Sequence, residues 1–154
     1  PLTGSLSIKA YNHKLGESSL TFFASKILAE KYRPGFPHSL NHAPMLLPTS
    51  QYAIRRSVDY WLEEQQIYPN IRGQFDDSAL MKSFGQAGLG IFFMPTIIAE
   101  AVSFNFNVEI VAKVEAITQT FYAITAARKA KHPAVAAIFD TARTFLSAYL
   151  SSLF

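Results

Sequence analysis

Residues 71–95 constrain the fold most, because they spell out a strand, a helix and a second strand with both junctions marked. Residues 71–75 alternate apolar and polar side chains. Asp76-Asp77 then supplies an N-cap and a first-turn anion, which answer the free N–H groups and the positive end of a helix. Leu80, Met81, Phe84 and Ala87 recur at three- and four-residue spacing, so one helix face is apolar, and Gly88 is the expected left-handed cap. Ile91-Phe92-Phe93-Met94 is too short for a core helix and rich in aromatic residues. It reads as a strand buried on both faces and closed by Pro95. A strand, a helix and a parallel strand in about 25 residues is close to the shortest βαβ crossover, and it sets the fold class as α/β.

The remaining segments extend that pattern. Residues 18–24 read as a strand, and 27–31 as a short helix stopped by Pro34-Gly35. Residues 41–44 read as loop and 45–47 as a short buried strand. Pro48-Thr49-Ser50 turns the chain into a helix over about 52–66, whose buried stripe is Ile54, Val58, Trp61 and Leu62. A brief helix is expected over 96–102. Phe104, Phe106, Val108 and Ile110 alternate with polar or smaller residues, which predicts a separate, half-exposed strand. Residues 119–126 form the next predicted strand. Pro133 opens a long amphipathic helix to about residue 150, striped by Val135, Ile138, Phe139, Ala142, Phe145, Leu146 and Tyr149.

With 49% hydrophobic and 16% charged residues over 154 positions, the chain supports one ordinary core. It has no cysteine, which excludes disulfides and thiolate metal sites and fits a cytoplasmic location. No apolar run approaches the roughly 18 residues of a transmembrane helix, and no membrane partner is expected. The net charge of +3 is modest, and the one basic neighbourhood, Arg128-Lys129 with Lys131, reads as a solvated turn rather than a DNA-binding patch.

Several segments together resemble LysR-type transcriptional regulators. The acidic helix start, the helix ending in Ala87-Gly88-Leu89-Gly90-Ile91 and the strand ending in Pro95 look like the second effector subdomain of that family. Gly16-Glu17-Ser18-Ser19-Leu20-Thr21-Phe22-Phe23 resembles its first hinge strand, and Met45-Leu46-Leu47-Pro48-Thr49-Ser50 its strand and ligand-facing loop. Thr120-Phe121-Tyr122-Ala123-Ile124 resembles its returning strand, and His132-Pro133-Ala134-Val135 the start of its final helix. Within the family, the run from Phe75 to Gly85 looks most like a sodium-responsive activator of a sodium/proton antiporter operon.

The resemblance implies an α/β effector domain of the periplasmic-binding-protein-like (type 2) fold, mainly the second subdomain with hinge strands and C-terminal helix. Residues 1–24 would end the first subdomain and carry the first hinge strand, 25–117 would form the second subdomain, and 118–154 the returning strand and final helix. Pro1-Leu2-Thr3-Gly4-Ser5 reads as the interior of a longer sequence. The implied partners are a small-molecule or ion effector, further copies of the chain, and DNA only through a helix-turn-helix that no stretch here supplies. The final helix, separated from most of the first subdomain, is expected to dock on residual strands of that subdomain or on a neighbouring chain.

In open α/β sheets, ligands sit beyond the carboxyl ends of strands, near helix N-termini. Two such loops are readable, around Pro48-Thr49-Ser50 and around Met94-Pro95-Thr96. The hydroxyls of Thr49, Ser50 and Thr96 suit a small polar or anionic effector, and they equally suit caps and turns. The resemblance assigns Pro48, Thr49 and Ser50 to the effector loop, adds Phe93 and Thr96, and makes Tyr122 and Ile124 part of the cleft wall, where the residues alone would suggest core packing.

Catalysis has little support. Asp76 and Asp77 are adjacent at a helix start and so make a better cap than an acid/base pair. His13, His38, His42 and His132 show no recognised metal spacing. Gly85-Gln86-Ala87-Gly88-Leu89-Gly90 ends a helix rather than opening one, the wrong context for a phosphate loop. No enzyme activity, cofactor or metal is expected. Two alternatives stand beside the regulator: a fragment of a bilobal solute-binding protein, and a small α/β enzyme whose turnover would depend on Ser50 or Asp76.

Overall fold

The computed structural model describes residues 9–126 and 132–151, with side chains placed through residue 146 of the last helix. The order is β1 (Tyr11–Ala24), α1 (Lys26–Tyr32), a 3-10 turn (His38–Leu40), β2 (Pro44–Pro48), α2 (Ala53–Glu64), β3 (Asn70–Phe75), α3 (Ser78–Gln86) and β4 (Phe92–Pro95). A second 3-10 turn (Thr96–Ile98), α4 (Ala99–Phe106), β5 (Glu109–Thr125) and α5 (Pro133–Ser151) complete it. The chain divides into two compact units: Ser18–Gln119, and a second made of the segments before Ser18 and after Gln119. The basic neighbourhood at Arg128-Lys129 and Lys131, and the residues 1–5 read as an interior stretch, lie outside the described residues.

Within the larger unit, strict two-residue alternation decides which side chain faces which helix layer. In β1, Leu20, Phe22 and Ala24 join Val58, Trp61 and Leu62 of α2 and Ala29 of α1. Phe23, between them, joins Met81 of α3 and Val102 of α4. β2 repeats the split, with Met45 and Leu47 on the first side and Leu46 on the second, and so do Ile91 and Phe93 against Phe92. Both faces are therefore covered, which explains why these strands read as unbroken apolar runs. Each fully buried Phe here contributes roughly 1.5–3 kcal/mol relative to an exposed one.

Hydrogen bonding joins two sheets, one ordered β4-β1-β5 and one a β2-β3 pair. β2 and β3 run parallel, while β4 lies antiparallel to β1, with Phe23 opposite Phe92. Ile91 links the two: its N–H donates to Pro44 O and its carbonyl accepts from Leu46 N–H, both at 2.8 Å. The crossover expected over residues 71–95 thus has β2 between its two strands, because β2 satisfies β3 on one edge and Ile91 on the other. α3 ends as expected. Gly88 has φ +82°, its N–H donates to Gly85 O, and Leu89 N–H donates to Phe84 O, the paired bonds of a left-handed helix stop.

Two expectations are corrected. Phe104 and Phe106 lie in α4 and not in a separate strand, and residues 109–125 form one strand rather than two. Ala99, Glu100 and Ala101 favour a helix, and Asn107, at φ +49°, stops it in the left-handed conformation. Phe104 is 89% exposed, so the alternation that suggested a strand did not record burial.

In the smaller unit, α5 packs on the first half of β1. Phe139 sits 5.0 Å from the His13 ring, Arg143 Nε donates to Lys14 O, and Leu146 lies against Gly16. The helix's buried stripe is narrower than expected: Phe139 and Leu146 are buried, whereas Ile138 and Phe145 are largely exposed. His13 is also held by Thr125, 2.8 Å from Nε2.

Candidate functional site

Because β2 and β3 are parallel, their carboxyl ends, Pro48 and Phe75, emerge at the same edge. Beyond them, wholly within the larger unit, lies a cavity of about 280 Å³. Its walls are Tyr52 and Ile54 from the start of α2, Phe75 at the end of β3 and Asp76 just past it, Ser78 and Met81 of α3, Phe93, Met94 and Pro95 of β4, and Gln119 of β5. The volume is near the lower end of small-molecule pockets, roughly 300–1,000 Å³.

Asp76 organises the mouth. Its Oδ1 accepts hydrogen bonds from Thr49 Oγ1 at 2.8 Å and Gln51 Nε2 at 3.0 Å, and its backbone carbonyl accepts from Tyr52 OH at 2.9 Å. Thr49 N–H donates to Phe75 O, so the loop after β2 is tied to the end of β3 through backbone as well as side chains. Asp77 has the separate task of capping α3, accepting from Ala79 N–H at 2.7 Å. The acidic pair therefore divides: Asp77 is the N-cap, and Asp76 lies outside the helix rather than in its first turn.

From behind, the loop is held by Arg55, which is only 7% exposed. Its Nε binds both Asp59 oxygens, at 2.9 and 3.0 Å, and its Nη1 donates to Pro48 O at 2.7 Å and Gln74 Oε1 at 2.9 Å. One guanidinium thus fixes the end of β2 against α2 and β3. Periodicity concealed this, since Arg55 falls between apolar positions of α2 and reads there as a surface residue.

The expected effector residues separate. Pro48 and Phe93 line the cavity, Thr49 joins it through Asp76, and Ser50 is exposed next to Thr49. Thr96 does not reach it. That residue is 5% exposed, and its hydroxyl bridges Ser19 Oγ at 2.8 Å and Thr21 Oγ1 at 2.9 Å, which makes it a tie between β1 and the end of β4. Tyr122 and Ile124 belong to the smaller unit and are 53% and 69% exposed, so neither is packed in a core. Tyr52, Asp76, Met81, Met94 and Gln119 were not singled out as binding residues from the sequence. The rule that sites follow strand ends would have found Asp76, the first residue past β3.

A wider groove of about 670 Å³ borders α2, with Arg56, Tyr60, Glu64 and Thr118 on its walls. Donation of the Tyr60 hydroxyl to the Glu64 carboxylate raises the phenol above its ordinary pKa. Among the described residues, no group of three or more His, Asp or Glu is placed to hold a metal ion. No helix among them is long and apolar enough to cross a membrane.

An α/β domain with a ligand-sized cavity beyond parallel strand ends is the architecture of a small-molecule-binding module. The chain belongs to the LysR substrate binding domain family, whose model matches residues 9–147. It is 32% identical over 131 residues to the transcriptional activator protein NhaR of Escherichia coli K12, covering 85% of this chain and 42% of that protein. The chain thus spans about two fifths of the length of this relative. Among solved structures, the Synechocystis PCC6803 CcmR regulatory domain, in complex with 2-PG, aligns with a TM-score of 0.66 at 14% identity, over 90% of this chain and 68% of that one. The AmpR effector binding domain of Citrobacter freundii aligns with the same score and coverage at 15% identity. The fold is accordingly the α/β periplasmic-binding-like fold of LysR effector domains.

Proposed function

We propose that this chain is the effector-binding part of a LysR-type transcriptional regulator, and that a small ligand in the cavity at Asp76 biases DNA binding by a helix-turn-helix elsewhere in the parent protein. The observation that carries this reading is the convergence of Thr49, Gln51 and Tyr52 on Asp76 at the joint end of β2 and β3. Thr49, Gln51 and Tyr52 belong to the loop after β2 and Asp76 lies just past the end of β3, so a ligand that engages both couples that loop to the start of α3. Ligand binding shifts a conformational equilibrium only by its differential affinity for the two states. β1 and β5 each run unbroken through the boundary between the two units, which makes them the natural carriers of such a shift.

On this reading the regulator works as a homo-oligomer in the cytoplasm, has no catalytic activity, and uses Pro48, Thr49, Ser50 and Phe93 around its effector. Similarity to NhaR supports the activator assignment, and the run from Phe75 to Gly85 favours a sodium-linked role. The test is operator affinity of the intact regulator against a metabolite and ion panel, with Asp76→Ala and Phe93→Ala beside the parent. The reading predicts one compound that changes DNA affinity in the parent and in neither variant. A parent gene without a helix-turn-helix, or an effector response untouched by both substitutions, would overturn it.

A further inference from the structure

The cavity's charge is unusual for a domain expected to take a polar or anionic effector. Among the described residues, Asp76 is the one carboxylate on its walls, and no Lys, Arg or His joins it there. The nearby cations are committed elsewhere. Arg55 is bound to Asp59, Pro48 O and Gln74, and Arg56 Nη1 lies 3.3 Å from Ser50 O and 3.5 Å from Gln51 O.

Two helix ends compete with this negative charge. That of α3 is already answered by Asp77. That of α2 carries no side-chain cap, and its dipole presents about half a positive charge against the whole negative charge of Asp76. The carboxylate therefore prevails. Its Oδ1 is engaged by Thr49 and Gln51, and Oδ2 accepts no hydrogen bond among the described residues. Tyr52, Phe75 and Phe93 offer aromatic surface, and Met81 and Met94 offer polarizable thioethers.

We propose that the cavity takes a small organic cation, an ammonium group on an aromatic or branched aliphatic body. The ammonium donates to Asp76 Oδ2 and the apolar body lies among Phe75, Phe93 and Met81. This deepens the effector reading above and rests on it. Such a ligand uses a charge-assisted hydrogen bond at the mouth and apolar burial inside, and a volume of about 280 Å³ limits it to a compact molecule.

The experiment uses three probes of similar shape, 2-phenylethylammonium, 2-phenylethanol and phenylacetate, titrated into the full chain and followed by backbone amide NMR. The ammonium is expected to shift amides at residues 49–52 and 76–78 and to bind about tenfold tighter than the alcohol, as befits one hydrogen bond to a charged group. Asp76→Asn, which keeps an acceptor for Thr49 and Gln51, should abolish that preference, while Asp77→Asn keeps it. Equal affinity for ammonium and alcohol would overturn the proposal, as would a preference unchanged in Asp76→Asn. Tightest binding of phenylacetate at the same amides would overturn the cationic class while leaving the cavity a ligand site. If no probe moves those amides at millimolar concentration, the cationic proposal is overturned, while the effector reading stands or falls on the operator-affinity test above.

Discussion

Asp76 and Asp77 are chemically identical neighbours with different tasks, and substitution should separate them. Asp77→Ala removes the acceptor of Ala79 N–H and is expected to cost about 1 kcal/mol in urea unfolding. Asp76→Ala should cost less stability yet speed amide exchange at residues 49–52, because it releases Thr49 and Gln51. Gly85 sets two effects against each other. Alanine would gain up to about 1 kcal/mol of helix propensity, but its Cβ would meet the Phe92 ring at 2.3 Å. Phe92 is fully buried and stacked on Phe23 at 5.6 Å, so it has nowhere to go. Overpacking of about 1–3 kcal/mol wins, and Gly85→Ala is expected to lower the urea midpoint. The chain's code for Asp77 was readable, since a cap bonds to its own helix. The task of Asp76 was not, because its partners lie 25 and 27 positions away. The tie that the Thr96 hydroxyl makes to β1 was hidden for the same reason, since Ser19 and Thr21 lie more than 70 positions away.

Elements whose local signals agree were readable in sequence, and those whose local signals conflict were not. α3 carries its cap, its stripe and its left-handed stop within a dozen residues, and its place was clear. α4 shows the opposite case, since apolar residues at alternate positions suggested a strand while Asn107 held the helix stop unnoticed. Asn107→Gly should leave stability nearly unchanged, whereas Asn107→Val, a β-branched residue at φ +49°, is expected to cost roughly 1–2 kcal/mol by thermal unfolding. α2 adds the Arg55 clamp. Arg55→Met leaves the Pro48 carbonyl without its donor and should cost about 1–3 kcal/mol. Asp59→Asn should cost under about 1 kcal/mol, because the Asp59 side chain is 46% exposed and its charge is screened. Equal costs for the two in chemical denaturation would mean that the ion pair, and not the carbonyl, is the purpose of Arg55.

The larger unit depends on ring contacts between residues far apart in its sequence. Phe22 contacts Phe36, Trp61 and Phe93 ring to ring, so Phe22→Ala should remove about 3–5 kcal/mol. That is a large share of the 5–15 kcal/mol typical of a domain, and the unfolding midpoint followed by Trp61 fluorescence should fall accordingly. The α/β class was visible from the strand and helix periods alone. The sheet order β4-β1-β5 was not, since nothing local in residues 18–24 names residues 92–95 as their neighbours. That pairing also sets a timetable for synthesis. Phe23 and Phe92 stand opposite each other about 70 residues apart along the chain. At roughly 5–20 residues per second, a ribosome leaves the apolar edge of β1 without its mate for about 4–14 seconds. During that interval Leu20, Phe22 and Phe23 form a sticky segment on a nascent chain, a place for a chaperone to hold until β4 is made.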